Sequence, residues 1–254
     1  LVDYISSKQL SPVELTKAYL ERIEKLNPEI NAYLTVADDQ AIADAVTSER
    51  MVMSGAKLGP LHGVPIAVKD MEETAGIRTT FGSLLFEDHV PNTDSLLVKR
   101  IRDAGALILG KTNTPEFAQS GTTENRLLDA CRNPWDITRT SGGSSGGSAA
   151  ALASGLCALA TGSDAGGSIR IPASFCGVYG IKPTLGRVPA LEAVARPAPN
   201  HTNQSGPMST TVKDSAILLQ VLAGPDDRDV TALRQQPPDY LTDLQGGVED
   251  LRIA

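Results

Sequence analysis

The chain has 254 residues, of which 41% are hydrophobic and 21% charged, a composition typical of a soluble globular protein that buries a substantial core. Lys and Arg number 23 against 30 Asp and Glu, and the formal net charge of -7 excludes an overall electrostatic attraction to nucleic acid or anionic lipid. The three cysteines form no CxxC pair, so they predict reduced thiols in a cytoplasmic protein and neither a disulfide framework nor a metal site.

Two helices are predicted near the N-terminus. Ser11 to Glu14 has the form of a capping box with proline at the first helical position, and apolar residues follow at spacings of three and four as far as Asn27. From Asp39 to Met53 apolar residues recur at similar spacing, and Gly55 is placed to cap the end of this second helix.

Short apolar runs then alternate with helical patterns. The remaining predicted elements are, in chain order, a strand at 64–68, a helix at 94–104, a strand at 107–109, a helix at 149–154, an extended run at 156–161, a helix at 211–222 and the start of a strand at 251–254. Residues 233–247 are the best candidate for a surface connection. No apolar stretch is long enough to span a bilayer, and no targeting signal is visible. Helices that alternate with short buried strands predict an α/β fold.

Three catalytic or binding patterns match by letter only. Residues 105–112 fit the phosphate-binding pattern GxxxxGK[ST], but their apolar middle predicts a strand, whereas that loop needs flexible residues. Residues 142–146 contain GxSxG, yet the preceding residues are polar and loop-like, and only His201 follows as a candidate base. Residues 54–57 fit SxxK without the SDN or KTG motif that should accompany it.

Two clusters rich in glycine and serine remain, at 141–148 and 162–170. A flexible linker would explain their composition. Each cluster is followed by an ordered apolar element, however, and the intervening length suits a compact unit in which both loops meet at one edge of a sheet. Composition alone leaves both interpretations open.

Four segments resemble the amidase signature family. They are LHGVPIAVKD at 61–70, GGSSGGSAAA at 142–151, GSDAGGSIRIP at 162–172 and FCGVYGIKPT at 175–184. The resemblance extends over nearly the whole chain and implies a layered α/β/α fold, with a central mixed β-sheet covered by helices on both faces, in a single domain at 1–254. Members of that family are considerably longer, so the resemblance also implies that the C-terminal part of the family domain is absent here.

The resemblance assigns a catalytic triad to Ser168 as nucleophile, Ser144 as relay and Lys69 as base, with a cis peptide bond at Gly143-Ser144. These residue types suit the chemistry, because a serine hydroxyl is a weak nucleophile until a base removes its proton. A lysine is a base only when neutral, and burial at the end of an apolar strand disfavours the ammonium form.

The same resemblance implies supporting roles around the nucleophile. Backbone amides at 165–168, those of Ala165, Gly166, Gly167 and Ser168, are expected to form an oxyanion hole. Asp164 and Arg170 are expected to pair and hold this loop, although a solvated surface pair is the alternative. Ser145 either forms a hydrogen bond within the site or favours the turn. Trp135 is expected in the core, with a platform for the substrate as the alternative.

The implied function is hydrolysis of a carboxylic amide by a free-standing amidase, because residues 111–116 resemble free-standing members. Two alternatives stay open: the glutaminase (A) subunit of an aminoacyl-tRNA amidotransferase, and a non-catalytic truncated relative. The implied partner is a small-molecule amide substrate, with a homodimer possible and with neither cofactor nor direct contact to nucleic acid or membrane. Ser141, where proline is common in the family, and the turn at 127–130 depart from its pattern.

Overall fold

The computed structural model describes residues 1–191, 202–242, 244, 246, 247 and 252. The strand predicted at 251–254 lies outside these residues except for Arg252, and His201 also lies outside them. The elements are α1 Val2–Ser6, α2 Pro12–Ile30, β1 Tyr33–Val36, α3 Asp38–Ser54, β2 Pro65–Lys69, α4 Leu96–Asp103, β3 Leu107–Thr112, β4 Arg132–Asn133, β5 Asp136–Thr140, α5 Gly146–Ala153, β6 Leu159–Asp164, α6 Arg170–Cys176, β7 Tyr179–Gly180, β8 Gln204–Ser209 and α7 Val212–Leu222.

Six of the strands form one mixed sheet in the order β1-β3-β2-β6-β8-β7. The central strands β3, β2 and β6 are parallel, and the outer pairs β1-β3, β6-β8 and β7-β8 are antiparallel. β4 and β5 form a separate two-stranded sheet. Because parallel strands start at the same side of a sheet, the ends of β2 and β6 lie at one edge, and the chain leaves both there towards the site.

Helices cover both faces of this sheet. One hydrophobic core packs α2, α5 and α6 against residues such as Ala67 and Leu109. A second core packs α4 and α7 against Ile66, Val68 and Ile108. Neighbouring residues of β2 therefore enter different cores, as the alternation of side chains along a strand requires. The predicted layered α/β/α fold is confirmed.

The predicted helix ends are accurate where a cap is encoded locally. Ser11 caps α2 and accepts hydrogen bonds from the backbone amides of Val13 and Glu14, and Gly55 ends α3 in the left-handed conformation. The end expected for α2 at 27–28 is wrong, since the helix continues to Ile30. The buried side chain of Ile30 anchors the last turn, and Asn31 caps it.

Two predicted elements near the glycine clusters are displaced. α5 begins at Gly146 and not at 149: Gly146 packs against the side chains of Thr123 and Ser141, and Gly147 packs directly on the backbone of Asn113 and Ala32. β6 runs from Leu159 to Asp164 and not from 156 to 161, because its pairing with β8 extends as far as Asp164 opposite Gln204. That pairing partner is distant in sequence and is not predicted by it. Among the described residues, no helix has both the length and the apolar character needed to cross a membrane.

Candidate active site

Lys69 is the last residue of β2, and its side chain is only 1% exposed. Its Nζ donates hydrogen bonds to Ser144 Oγ at 2.7 Å and to Ser163 Oγ at 3.0 Å, and its backbone amide donates to Thr161 Oγ1 at 2.9 Å. The structure therefore brings the predicted base and the predicted relay serine into direct contact inside the protein. The sequence does not predict Ser163 as a partner of Lys69, although Ser163 lies within the second glycine and serine cluster.

The first glycine and serine cluster is a tightly packed loop and not a linker. The Gly143-Ser144 peptide bond is cis, as predicted. A Cβ atom on Gly143 would lie 2.6 Å from the carbonyl oxygen of Thr122, and one on Gly147 would lie 2.3 Å from the amide nitrogen of Asn113. Such distances leave no room for a side chain. The glycines thus allow the loop and the start of α5 to lie directly on adjacent backbone.

Ser145 joins the two predicted catalytic loops. Its backbone amide donates to the carbonyl oxygen of Ser168 at 3.1 Å, and its Oγ lies 3.4 Å from the carbonyl oxygen and 3.3 Å from the amide nitrogen of Ser163. These contacts match one of the two roles left open for Ser145, hydrogen bonding beside the predicted nucleophile, while its part in catalysis stays a prediction. Ser168 is partly exposed, and within the described part of the chain its Oγ makes no hydrogen bond.

Asp164 closes the loop that carries Ser168. Its buried carboxylate accepts hydrogen bonds from the backbone amides of Gly167, Ile169 and Arg170 and from the Arg170 guanidinium. Burial raises the pKa of Asp164, but the bonds from Arg170, Gly167 and Ile169 outweigh burial and lower it to about 2. The expected pairing of Asp164 with Arg170 is confirmed, and the alternative of a solvated surface pair is wrong for the carboxylate.

The same hydrogen bonds restrict which amides can stabilise an oxyanion. The amide of Gly167 donates to Asp164 Oδ1 at 2.7 Å, so it is occupied in this structure. The amides of Ala165, Gly166 and Ser168 form no hydrogen bond within the described part of the chain. Ala165 and Gly166 are exposed and Ser168 is partly exposed, so their amides are accessible to an incoming ligand.

The misleading sequence patterns are resolved by the fold. Residues 107–112 form the buried strand β3, which cannot wrap a phosphate. The residues before Ser144 are expected to be a loop, but 136–140 form β5, an exposed strand of the two-stranded sheet that is separate from the central sheet. The expectation that Trp135 lies in the core is wrong: its side chain is 74% exposed, and its Nε1 donates to the carbonyl oxygen of Cys176 at 2.7 Å.

Comparison with known proteins gives consistent matches. A sequence model of the amidase family matches residues 14–254. The A subunit of the glutamyl-tRNA(Gln) amidotransferase from Carboxydothermus hydrogenoformans is 45% identical over 253 residues, which cover 100% of this chain and 52% of that protein. The protein of the same name from Trichodesmium erythraeum is 50% identical over 238 residues, which cover 94% of this chain and 49% of that protein.

Solved structures agree with the sequence matches. A bacterial aryl acylamidase of the amidase signature family is 37% identical with a TM-score of 0.92, over 97% of this chain and 51% of that one. The peptide amidase of Stenotrophomonas maltophilia is 36% identical with a TM-score of 0.80, over 89% of this chain and 47% of that one. This chain spans about half the length of the curated relatives it matches. By its sequence and its fold, the chain belongs to the amidase signature family.

Proposed function

We propose that this chain carries the catalytic residues of an amide hydrolase that works through an acyl-enzyme on Ser168. The observation that carries the proposal is the 2.7 Å hydrogen bond between Lys69 Nζ and Ser144 Oγ, beside the loop that bears Ser168. A buried lysine next to a buried serine is an arrangement that can move a proton to and from a nucleophile.

In the proposed mechanism, neutral Lys69 takes the proton of Ser144 as Ser144 takes that of Ser168. The Ser168 oxygen then attacks the amide carbonyl, and the amides of Ala165, Gly166 and Ser168 stabilise the tetrahedral oxyanion. The proton returns from Lys69 through Ser144 to the leaving nitrogen, and the C–N bond breaks. Water activated by the same relay hydrolyses the ester on Ser168, which releases the acid and restores the free enzyme.

Two settings for this chemistry are supported by different comparisons. The TM-score of 0.92 with an aryl acylamidase supports a free-standing amidase acting on small or aryl amides. The identities of 45% and 50% with A subunits of glutamyl-tRNA(Gln) amidotransferases support the second candidate, a protein that hydrolyses glutamine within an assembly. The higher identities favour the second candidate. A cytoplasmic location and a homodimer stay predictions.

The test of the shared chemistry is Ser168→Ala in the whole protein. We expect this variant to lose amide hydrolysis by at least about 1000-fold and to lose labelling by a fluorophosphonate probe, since no other hydroxyl occupies the nucleophile position. Ser54→Ala is the matched control, because Ser54 is exposed on α3 and belongs to the rejected SxxK pattern. Full hydrolysis by Ser168→Ala would contradict the mechanism. Absence of label in folded wild-type protein would favour a non-catalytic relative.

A second experiment separates the two settings. The whole protein is expressed in its own cells, purified by a tag, and assayed against glutamine and against a panel of aryl and aliphatic amides. Glutamine-only activity together with stoichiometric partner proteins supports the amidotransferase setting. Activity on aryl amides by the protein alone supports the free-standing amidase.

A further inference from the structure

The chain buries a second lysine, Lys111, on β3, the strand next to the one that carries Lys69. Lys111 lies on β3 opposite Val68 of β2, and Lys69 lies opposite Thr112. The Lys111 side chain has no exposed surface. The proposed reaction gives Lys111 no role, so its burial calls for another explanation. A buried ammonium is costly unless hydrogen bonds and opposite charge compensate it, so its partners indicate what it does.

Those partners all belong to the segment that leaves β2 directly after Lys69. Lys111 Nζ donates to Thr74 Oγ1 at 3.0 Å, to Thr79 Oγ1 at 2.9 Å and to the carbonyl oxygen of Glu72. It also lies 3.8 Å from Oδ1 of Asp70. One ammonium group therefore binds four points within residues 70–79 and draws this segment against β3.

Asp70, the neighbour of Lys69, is fixed from two further directions. Its backbone amide donates to the carbonyl oxygen of Thr112 at 3.1 Å, and its Oδ2 accepts a hydrogen bond from the amide of Thr80 at 2.9 Å. The chain thus turns at Lys69 with little freedom. Where this turn lies sets where the Lys69 side chain leaves the strand, and hence the distance from its Nζ to Ser144.

We propose that Lys111 is a positioning residue that holds the turn after β2 so that Lys69 Nζ stays within hydrogen-bond distance of Ser144. This inference rests on the proposed function, because Lys69 matters here as the base. Lys111 acts through the backbone and does not touch the substrate. Its removal should slow proton transfer and leave substrate binding nearly unchanged.

The experiment compares wild type, Ser168→Ala and Lys111→Met in the whole protein, by kcat, KM and the rate of fluorophosphonate labelling. A displacement of the base by about 1 Å costs on the order of 100-fold in rate, so we expect Lys111→Met to lower kcat and the labelling rate by about 100-fold. KM should change by less than about twofold, because Lys111 does not touch the substrate and its replacement leaves the interactions that bind the substrate in the ground state unchanged.

Ile101→Ala serves as the control for a merely structural role, because Ile101 is fully buried in α4 within the second core. It should lower thermal stability without lowering kcat of the folded fraction. If Lys111→Met retains kcat, or loses only what Ile101→Ala loses, the inference is wrong. If Lys111→Met does not fold, Thr79→Val replaces it: loss of one hydrogen bond to Lys111 should lower kcat several-fold, and an unchanged kcat overturns the inference.

The catalytic role of Ser168 and the positioning role of Lys111 fail separately. If Ser168→Ala stays active, the proposed function itself is wrong, whatever Lys111→Met does. If Ser168→Ala is inactive while Lys111→Met keeps wild-type kcat, the triad stands and only the positioning role of Lys111 falls.

Discussion

Asp164 shows how one side chain shapes the loop of the proposed nucleophile. Its carboxylate is fully buried, whereas its partner Arg170 is 57% exposed. The hydrogen bonds that the carboxylate accepts from three backbone amides therefore contribute much of what holds the loop in place. Because the folded pKa of about 2 lies below the ordinary 3.8, the ionised form stabilises the fold. That stabilisation is fully present above about pH 4 and is lost as the pH falls through 2.

We predict that Asp164→Asn lowers kcat at least about tenfold while the protein stays folded at neutral pH. The amide cannot accept all the hydrogen bonds that the carboxylate accepts, so the loop bearing Ser168 loosens. The measurements are kcat and the urea midpoint at pH 7 and pH 3.5. Asp136→Asn is the control, because Asp136 lies on the exposed strand β5. A wild-type kcat in Asp164→Asn would show that the loop holds its shape without the charge.

At the scale of elements, the start of α5 is determined by its packing on the segment that follows β3. Its sequence of small residues gives a weak helical periodicity, which places its start three residues too late. Gly147 packs so closely on the segment after β3 that its amide donates to the carbonyl oxygen of Asn113 at 3.1 Å. The start of α5, and with it the loop that carries Ser144, can lie this close to the backbone of Asn113 only because residue 147 is glycine.

We predict that Gly147→Ala destabilises the protein by about 1–3 kcal/mol, because its Cβ would lie 2.3 to 2.6 Å from backbone atoms of Asn113 and Ala32. The free energy of unfolding in urea measures this. Gly121→Ala is the matched control, since a Cβ there meets nothing within 4 Å, and it should change stability by less than about 0.5 kcal/mol. Equal effects from the two substitutions would show that close packing does not require glycine at 147.

At the scale of the whole molecule, three buried thiols link folding to pH. Burial raises the pKa of Cys131, Cys157 and Cys176 from 9.0 to about 12. Between these values the unfolded chain loses the thiol protons and the folded chain keeps them, so stability falls as the pH rises. Lys111 has the opposite effect on stability. Burial lowers its pKa to about 8 although Asp70 raises it, so above pH 8 the folded chain loses one proton that the unfolded chain keeps.

We predict that the free energy of unfolding decreases as the pH is raised from 9 to 11, with each thiol contributing a slope of at most about 1.4 kcal/mol per pH unit. Urea unfolding in the presence of a reductant measures it. Cys157→Ala should remove its share of the slope, whatever it does to stability at pH 7. A slope that is unchanged in this variant would show that Cys157 does not titrate on unfolding.

Features of the fold that depend on residues close together in the sequence are predicted correctly, and features that depend on distant contacts are not. The cap at Ser11 and the glycine at Gly55 are predicted correctly, because both involve hydrogen bonds or backbone conformations within a few residues. The shift of β6 and the role of Ser163 are missed, since both depend on contacts with segments far away in sequence. The prediction that Trp135 lies in the core is wrong, because residue type alone does not show whether a side chain in the turn between β4 and β5 faces the core or the solvent.

By itself, the sequence determined the α/β class, the helix caps and, through its motifs, the family and the identity of the triad candidates. Only the tertiary structure decided that Lys69 contacts Ser144 and Ser163, that Asp164 occupies the amide of Gly167, and that Lys111 binds the segment after β2. The reason is physical: motifs and caps are properties of neighbouring residues, whereas these contacts form only when strands distant in sequence pair and bury polar groups that must find partners.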